Sequence, residues 1–249
     1  MHAGKRLNNG ERKLLAAIFD VDGVLVASPH ERAWREALVD YTDPARFTTE
    51  FYQSYVAGKP RLDGARATLE KLDVPNAQAR AAEYANKKQI LIERLIAEHS
   101  FEVYPDAVRL VVALNAAGLR LALASSSRNV APMMRGRNAP DGRTLLSLFD
   151  ADLCGADVPR GKPDPALFLL AARALNVPPA ACLVVEDAPA GITAARAGGM
   201  MTLGIARLGD EALLRAASAD LVVTSLDQVD TAAIADGVLR TRWEMERPT

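Results

Sequence analysis

Hydrophobic residues run almost without a break through residues 14–26, and two carboxylates interrupt them. The run extends to Phe19, is followed by Asp20 and Asp22, and resumes after Gly23. A continuous apolar run is typical of a buried strand of a parallel sheet. Because charge is costly inside such a strand, we expect both aspartates at its carboxyl end, where open α/β sheets bind ligands. A simple Asp-Gly turn would explain Asp22 but would leave Asp20 unexplained.

From Glu31 to about Ile96 the apolar residues fall at helical spacing instead. Short stretches that contain Pro or Gly interrupt this spacing at residues 42–44, 58–60 and 74–76. The pattern predicts helices near residues 30–40, 46–56, 63–72 and 76–98, the last with Asn76 as its polar cap. We therefore predict a small all-helical unit inserted after the first strand, with hinges near residues 28–30 and 100–104.

From Tyr104 onward the pattern alternates between helices and strands. The predicted helices cover residues 105–117, 163–175, 192–197 and 213–217, with a short helix and a loop within 131–149. The predicted strands cover residues 119–124, 149–153, 182–185, 201–205 and 221–223. Strands separated by helices favour βαβ units and a parallel sheet.

Composition narrows the range of functions. The 249 residues, 49% hydrophobic and 24% charged, are ordinary for a soluble globular protein of one large or two smaller domains. A net charge of −1 gives no electrostatic reason to expect binding to nucleic acid or a membrane, and no run reaches the roughly 20 apolar residues of a membrane helix. Cys154 and Cys182 have neither metal-site nor disulfide spacing, which favours a reducing cytoplasm. We expect the polar, basic first thirteen residues to be frayed and not to be a signal peptide.

Polar residues follow three of the predicted strands, and a lysine precedes one of the helices. These residues are Asp20 and Asp22, Ser125, Glu186 and Asp187, and Lys162. The ends of neighbouring parallel strands meet at one edge, so the acidic side chains could form an oxygen-ligand site of the kind that suits Mg²⁺. A carboxylate that attacks a phosphate monoester needs such a cation to lower the repulsion. Lys162 and Ser125 could hold the remaining phosphoryl oxygens.

Each of these residues also has an ordinary structural explanation. Ser125 could cap the next helix, and Asp187 could be an N-cap. Lys162 could be a solvated charge on a loop. The four features occur in this order along an α/β pattern, which nevertheless favours the catalytic interpretation over four unrelated structural roles.

Together the four motifs resemble those of the haloacid dehalogenase superfamily. They are Asp20-Val21-Asp22-Gly23-Val24, Ser125 after an apolar strand, Lys162 in Gly-Lys-Pro-Asp-Pro, and Glu186-Asp187 in Val-Val-Glu-Asp-Ala-Pro-Ala-Gly-Ile. The resemblance spans about residues 15–225 and implies an α/β fold, a doubly wound Rossmann-like parallel sheet with an inserted α-helical cap. The core domain would comprise residues 1–28 and 101–249, and the cap domain residues 29–100.

The same resemblance implies an Mg²⁺-dependent aspartyl-phosphate mechanism. Asp20 would be the nucleophile and Asp22 the general acid and base. The implied Mg²⁺ ligands are Asp20, the backbone carbonyl of Asp22, Asp187 and, directly or through water, Glu186. Ser125 and Lys162 would bind the transferring phosphoryl group. Members that cleave carbon–halogen bonds lack the second aspartate, so the presence of Asp22 sets dehalogenation aside.

Within the superfamily, the chain resembles β-phosphoglucomutases and the phosphatases related to them. The likeness lies in residues 28–34, Gly58-Lys59-Pro60-Arg61 and Ser125-Ser126-Ser127-Arg128-Asn129. It implies a substrate-binding set of Arg61, Ser126, Ser127, Arg128 and Asn129, of which all but Ser126 match residues that hold the second phosphate of a hexose bisphosphate. It also implies that His30 couples cap closure to Asp22 and that Lys87 contacts the sugar.

The chain departs from the mutase pattern in three places. Ala188 stands where many mutases have a serine, the hinge at Ser28 is shorter, and the loop at residues 131–147 is longer. These departures affect how a sugar would be positioned rather than the phosphoryl chemistry. The aromatic residues of the predicted cap are expected to pack its helices; they are Trp34, Phe51, Tyr52, Tyr55 and Tyr84.

Three functions remain open at this point. The first is a β-phosphoglucomutase-type conversion of β-glucose 1-phosphate to glucose 6-phosphate, with glucose 1,6-bisphosphate as activator and a closed cap that excludes water. The second is hydrolysis of a small sugar or polyol phosphate, and the third is a phosphate-binding regulator without turnover. Two sets of phosphate-binding residues favour the first, and the intact acidic motifs argue against the third. We expect the partner to be a small phosphorylated metabolite and the protein to be a cytoplasmic monomer.

Overall fold

A parallel sheet organises the fold in a computed structural model that describes residues 13–245. The strands are β1 (Ala16–Phe19), β2 (Val26–Ala27), β3 (Glu102–Val103), β4 (Arg120–Leu123), β5 (Ala151–Asp152), β6 (Cys182–Glu186), β7 (Met201–Ile205) and β8 (Leu221–Val223). Six of them form the sheet in the order β5-β4-β1-β6-β7-β8, and β2 and β3 form a separate two-stranded ribbon. Every neighbouring pair in the six-stranded sheet is parallel. Their carboxyl ends therefore share one edge.

Strand β1 lies at the point where the strand order reverses. Phe19 at its end is in register with Leu123 of β4 on one side and with Val185 of β6 on the other. Open α/β sheets bind their ligands outside the carboxyl ends of the strands at such a switch point. The residues that follow β1, β4 and β6 are thus neighbours although the sequence separates them widely.

The α-helices follow the strands and the ribbon. They are α1 (His30–Ala37), α2 (Thr49–Tyr55), α3 (Arg61–Lys71), α4 (Ala77–Ala97), α5 (Pro105–Ala116), α6 (Val130–Met134), α7 (Ala166–Ala174), α8 (Pro189–Ala197), α9 (Glu211–Ala216) and α10 (Thr231–Ile234). Helices α5 and α6 pack on one face of the sheet and α7 and α8 on the other. The α/β fold class predicted from the sequence is confirmed.

The two hydrophobic clusters that cover the sheet explain the continuous apolar run. Successive side chains of a strand point to opposite faces. Ala17 and Phe19 belong to the cluster with α5 and α6, whereas Ala16 and Ile18 belong to the cluster with α7 and α8. Because helices cover both faces, every position of β1 is buried and none of them needs to be polar.

Helices α1 to α4 lie between β2 and β3 in the chain, and we call residues 30–97 the helical insertion. The ribbon carries it: Val26 is in antiparallel register with Val103, and Ala27 with Glu102. The insertion has a hydrophobic cluster of its own around Tyr84, whose hydroxyl donates to the backbone oxygen of Trp34 at 2.8 Å. The two predicted hinges therefore run side by side as one connection.

The boundaries of several elements differ from the predictions for local reasons. The run at residues 14–26 is not one strand, because the chain turns after β1 and the second apolar part pairs with β3. The helix predicted over 163–175 begins at Ala166, whose N–H donates to Asp164 Oδ1 at 3.0 Å. Helix α4 begins next to Asn76 as predicted, but Asn76 has a positive φ of 58° and its side chain makes no capping hydrogen bond.

Residues 1–12 and 246–249 lie outside the described residues. The expectation that the first thirteen residues are frayed falls almost entirely outside the described residues, which begin at Lys13. Between residues 13 and 245, no helix combines the length and the apolar character that crossing a membrane would require.

Candidate active site

A cleft of about 360 Å³ lies between the carboxyl edge of the sheet and the helical insertion. Its core wall includes Asp20, Asp22, Ser125 and Asp187, and its insertion wall includes His30, Tyr52, Arg61 and Lys88. The structure thus brings residues from three strand ends to one place, as the parallel register requires.

The buried Lys162 links two of the acidic residues at the base of the cleft. Its Nζ donates to Asp20 Oδ1 at 2.6 Å and to Glu186 Oε1 at 2.5 Å, and it lies 4.7 Å from the centre of the Phe168 ring. Burial lowers the pKa of Lys162, but Asp20 and Glu186 outweigh burial and raise it. Lys162 is therefore a fixed positive charge, and removing one partner of such a buried pair costs about 3–5 kcal/mol.

Asp20 directly follows β1 and is only 4% exposed. Its backbone N–H donates to the oxygen of Val185 at 3.0 Å, which extends the pairing of β1 with β6 by one residue. Burial is the largest cause that raises the pKa of Asp20, and Glu186 and Asp22 raise it further; against the opposing effect of Lys162 it reaches about 7. The carboxylate that the sequence proposes as the nucleophile is thus held in place and short of compensating positive charge.

Glu186 does not reach out into the cleft. Lys162 donates to its Oε1, and its Oε2 accepts from the backbone N–H groups of Asp187 and Ala188, both at 2.9 Å. Helix α8 packs so closely that a Cβ at Gly191 would lie 1.8 Å from Glu186 Oε1. Both carboxylate oxygens have hydrogen-bond partners, which favours the second of the two predicted roles, contact with a metal through water; Glu186 also anchors Lys162 and the loop after β6.

Asp187 faces the turn that follows Asp20. A Cβ at Gly23 would lie 1.9 Å from Asp187 Oδ2, and Gly23 has a positive φ of 84°, so both space and backbone conformation require glycine there. Burial raises the pKa of Asp187 well above its usual range, and the charges of Glu186 and Asp20 add to the effect. Asp187 and Asp20 therefore repel each other across a small gap.

Asp22 turns away from this pair and toward the insertion. Its Oδ2 accepts a hydrogen bond from Ser125 Oγ at 3.2 Å, and its Oδ1 lies 3.2 Å from Nε2 of His30. Burial would raise the pKa of Asp22, but His30 outweighs burial and lowers the pKa to about 2. Asp22 is therefore ionised at neutral pH, which suits a group that first accepts a proton.

His30 and Lys88 form a pair behind Asp22. Lys88 Nζ lies 2.6 Å from Nδ1 of His30, and Ser127 Oγ lies 3.3 Å from Nε2. If the lysine donates to Nδ1, the hydrogen on Nε2 faces Asp22. Burial lowers the pKa of Lys88 to about 7, and Arg61 adds to the effect.

Lys87, the cap lysine predicted to contact the sugar, lies elsewhere. It does not line the cleft and pairs with Asp40 on the insertion surface. Lys88 lines the cleft in its place, because the buried face of α4 carries Ala81, Tyr84, Ala85, Lys88 and Ile92. This spacing was a usable signal in the sequence: Lys88 interrupts an apolar helical stripe, and Lys87 does not.

The residues of the predicted substrate-binding set that includes Arg61 also come together. Arg61, Ser126, Ser127, Arg128 and Asn129 all line the cleft. Arg61 Nη1 donates to Gln89 Oε1 at 2.5 Å, and Gln89 Nε2 donates to Asn129 Oδ1 at 2.9 Å. Gln89, which the sequence interpretation did not include, therefore joins the insertion arginine to the core loop.

Two of the cap aromatics do more than pack helices. Trp34 and Tyr52 belong to or pack against the insertion cluster, as expected, but both also line the cleft. Burial raises the pKa of Tyr52 well above its usual range, and the nearby carboxylates, Asp187 first among them, add to the effect. The phenol is therefore a neutral hydrogen-bond donor facing the acidic residues.

The charge balance at the base of the cleft fits a divalent cation. Asp20, Glu186 and Asp187 face the single ammonium of Lys162, and the pKa values of Asp20 and Asp187 are raised. Within residues 13–245, no three His, Cys, Asp or Glu side chains are grouped so as to hold a metal. Two carboxylates that line the cleft, Asp20 through its second oxygen and Asp187, could hold such an ion. This number suits Mg²⁺, which proteins hold through one or two carboxylates together with substrate phosphate and water.

Comparisons with known proteins show to which family the chain belongs. The model of the haloacid dehalogenase-like hydrolase family matches residues 14–199. The chain is 34% identical over 242 residues to the β-phosphoglucomutase of Mycobacterium bovis, covering 87% of this chain and 92% of that protein. It is also 34% identical over 198 residues to a probable pseudouridine-5'-phosphatase of Drosophila melanogaster, covering 77% of this chain and 81% of that protein.

A solved structure extends the likeness to three dimensions. The β-phosphoglucomutase of Pyrococcus sp. strain ST 04 superposes with a TM-score of 0.69 at 30% sequence identity, covering 89% of this chain and 98% of that one.

Proposed function

The chain belongs to the haloacid dehalogenase-like hydrolase family and is a phosphoryl-transfer enzyme, and from this premise we propose that it is a β-phosphoglucomutase-type isomerase of a hexose phosphate. In this proposal Asp20 carries the phosphoryl group and a sugar hydroxyl, rather than water, accepts it. β-Glucose 1-phosphate would be converted to glucose 6-phosphate through a glucose bisphosphate. The observation that carries the proposal is that the side chains proposed to hold a second phosphate, Arg61, Ser127, Arg128 and Asn129, line the same cleft as Asp20 and Ser125.

Asp20 and Asp22 divide the chemistry between them. Asp20, held by Lys162 at 2.6 Å, attacks phosphorus with one carboxylate oxygen, and the bond from phosphorus to the departing sugar oxygen breaks. Asp22, ionised because its pKa is about 2, accepts the proton of the sugar hydroxyl that takes the phosphoryl group from Asp20. It returns that proton to the leaving oxygen in the second half-reaction, so protons balance over the cycle.

The remaining core residues stabilise the phosphoryl group during transfer. Lys162 supplies a permanent positive charge, and Ser125 supplies a hydroxyl. Mg²⁺, held by Asp20, Asp187 and the backbone carbonyl of Asp22, would lower the repulsion between the carboxylate and the phosphate dianion. The involvement of Glu186 would be indirect, through Lys162 and the loop after β6.

The second set would hold the phosphate that does not react. Arg61 offers a planar fork suited to phosphate, and Arg128 and Asn129 follow β4 on the core side. A phosphate bound there would take the donors Arg61 Nη1 and Asn129 Nδ2, which Gln89 Oε1 now accepts from. Binding of the second phosphate would thus be coupled to a contact between the insertion and the core.

Water exclusion is what separates an isomerase from a hydrolase here. The insertion sits close on the core: Ser126 Oγ donates to the oxygen of Gly58 at 3.0 Å, and a Cβ at Gly161 would lie 2.0 Å from Pro60 Cγ. We propose that residues 29–100 act as a cap domain that closes over a core of residues 1–28 and 101–249. His30 would couple that closure to Asp22.

The setting of the reaction follows from the same proposal. The partner would be a small phosphorylated metabolite, and the enzyme would work as a monomer in the cytoplasm. Cys154 and Cys182 are free thiols, which suits a reducing compartment.

The test is a product assay followed by phosphorus NMR. The protein is incubated with Mg²⁺, β-glucose 1-phosphate and a trace of glucose 1,6-bisphosphate. Glucose 6-phosphate without a matching amount of inorganic phosphate is the expected result. Inorganic phosphate without the isomer would contradict the proposal and favour the alternative, a phosphatase of small sugar or polyol phosphates. Neither product across a panel of phosphate esters would favour a regulator without turnover.

A further inference from the structure

Arg207 lies behind the loop that carries Asp20 and Asp22, on the side away from the cleft. It follows β7, and its side chain is largely buried. Its Nε donates to the backbone oxygen of Gly23 at 3.4 Å, and its Nη2 donates to that of Val24 at 3.3 Å. One guanidinium thus holds two successive carbonyls of the turn that follows Asp22.

Asp106 fixes this guanidinium from the other side. Arg207 Nη1 donates to Asp106 Oδ2 at 2.7 Å and Nη2 to Oδ1 at 2.9 Å, a two-point ion pair. Asp106 also accepts from Ser225 Oγ at 3.1 Å and from the N–H of Leu226 at 2.9 Å. The ion pair therefore ties the catalytic turn to the start of α5 and to the turn after β8.

The exit of the helical insertion passes over the same guanidinium. The Arg207 guanidinium carbon lies 3.9 Å from the centre of the Tyr104 ring, and the N–H of Tyr104 donates to the oxygen of Leu25 at 2.9 Å. Tyr104 directly follows β3, so Arg207 contacts both the turn after Asp22 and the connection that joins the insertion to the core.

We propose that Arg207 is a positioning residue for phosphoryl transfer: it fixes the turn at residues 22–25, and with it Asp22 and Gly23, relative to Asp187. Gly23 packs against the Asp187 carboxylate with no room for a Cβ, so a small shift of the turn moves that carboxylate. The backbone of Asp22, which the proposed function assigns to Mg²⁺, lies next to Gly23. This inference rests on the proposed function both for its catalytic meaning and for the position of the Mg²⁺ site.

Lysine cannot replace the arginine at this position. The planar fork engages Asp106 through two nitrogens, reaches two carbonyls and stacks on an aromatic ring, whereas an ammonium is a point charge with three donors. Arg207→Lys therefore keeps the charge and loses the geometry. Loss of a residue that orients metal ligands costs about 10–100-fold in metal affinity or activity.

A second arginine in the same neighbourhood provides a matched control. Arg109 of α5 makes a two-point ion pair with Asp227, at 2.8 and 2.6 Å, in the turn next to Leu226. Among the contacts within residues 13–245, this pair joins the same helix to the same turn but does not touch residues 20–27. Arg109→Lys therefore removes a comparable link without disturbing the catalytic turn.

The experiment compares both variants in the full-length protein. Mg²⁺ affinity is measured by calorimetric titration, thermal stability by the unfolding midpoint, and kcat and KM by hydrolysis of para-nitrophenyl phosphate. We expect Arg207→Lys to weaken Mg²⁺ binding by about 10-fold and to lower kcat by about 10–100-fold, with KM little changed. Arg109→Lys is expected to keep Mg²⁺ affinity, kcat and KM within about twofold of the wild type and to lower the unfolding midpoint no more than Arg207→Lys does, because its ion pair with Asp227 is about half exposed.

Two outcomes would overturn the inference. One is that Arg207→Lys keeps both Mg²⁺ affinity and kcat within twofold of the wild type. The other is that the two lysine variants lose Mg²⁺ affinity and kcat equally. If Arg207→Lys does not fold, Asp106→Asn takes its place, since it removes the charge that holds the guanidinium, and the same loss of Mg²⁺ affinity is expected. Weakened Mg²⁺ binding in a protein that proves to have no isomerase activity would leave the inference standing and would remove only the proposed function.

Discussion

The two walls of the cleft are built by different means. On the core wall, Asp20, Ser125 and Asp187 follow buried strands whose register fixes where each side chain begins. On the insertion wall, Arg61 and Lys88 project from helices. A shift of one residue along a helix rotates the direction of the side chain by about 100° around the helix axis. In the proposed function the core wall would therefore supply the phosphoryl-transfer site, and the insertion wall would supply the groups that select what receives the phosphoryl group.

The largest expected effect belongs to the core wall. Asp20→Asn removes the attacking oxygen, so kcat on the substrate that the wild type converts should fall by about 10⁴-fold or more. The fold should persist, because burial is the largest cause that raises the pKa of Asp20 to about 7, an uncharged amide avoids that cost, and Lys162 keeps Glu186 as its partner. Steady-state kinetics and circular dichroism check both statements, with Asp40→Asn on the insertion surface as control. Residual activity above a few per cent would remove the assignment of Asp20 as nucleophile.

A smaller effect is expected when the second phosphate loses its arginine. Arg61→Ala should raise KM for a hexose bisphosphate by about 10–100-fold, since a charge-assisted fork is worth about 1.5–3 kcal/mol. Hydrolysis of a small monoester that has one phosphate should change by less than about threefold. Kinetics on the two substrates in parallel test this. Equal losses on both would show that Arg61 does not distinguish a second phosphate.

Two neighbouring lysines of α4 distinguish the cleft wall from the outer surface of the insertion, since Lys88 lines the cleft and Lys87 pairs with Asp40. Lys88→Met should lower kcat by about 10-fold, because His30 then loses the partner that orients it toward Asp22. Lys87→Met should leave kcat within about twofold, because Lys87 pairs with Asp40 on the surface. Both are measured with the same substrate under the same conditions. A greater loss from the change at Lys87 would contradict the assignment of Lys88 to the cleft.

The smallest effect concerns the pH dependence of stability. The pKa of Lys88 is lowered from 10.5 to about 7, so between these values the unfolded chain binds more protons than the folded protein. The contribution of Lys88 to the free energy of unfolding therefore rises with pH across this interval. Between pH 7 and 10 the wild type should gain about 1–3 kcal/mol relative to Lys88→Met. Urea denaturation measures this, and the same comparison with Lys87→Met should stay flat.

The strands of the sheet could be predicted from the sequence because a strand buried on both faces must be apolar at almost every position. The apolar runs at β1, β4 and β6 are continuous since helices cover both faces, and the polar residue after each run marks the edge of the sheet. The prediction of an α/β fold with a helical insertion is confirmed, as is membership in the superfamily. Asp20 and Lys162 were identified because their motifs are specific.

The insertion side was harder because helix packing decides which residues enter the cleft. Counting along the chain selected Lys87, whereas the buried stripe of α4 selects Lys88. Gln89 was missed because a glutamine on a half-exposed helix face carries no chemical signal until Arg61 and Asn129 lie beside it. Glu186 was predicted to contact Mg²⁺ directly or through water, and the sequence does not show that two backbone N–H groups and Lys162 engage its carboxylate.

The most direct test of the whole account is to find where the phosphoryl group resides. The protein is mixed with labelled hexose bisphosphate and Mg²⁺, quenched in acid within the first turnover, and digested for mass spectrometry. The aspartyl-phosphate mechanism predicts a hydroxylamine-sensitive acyl phosphate on Asp20, present in the wild type and absent from Asp20→Asn. A label on any other residue, or product formation with no labelled Asp20 at any time, would contradict it.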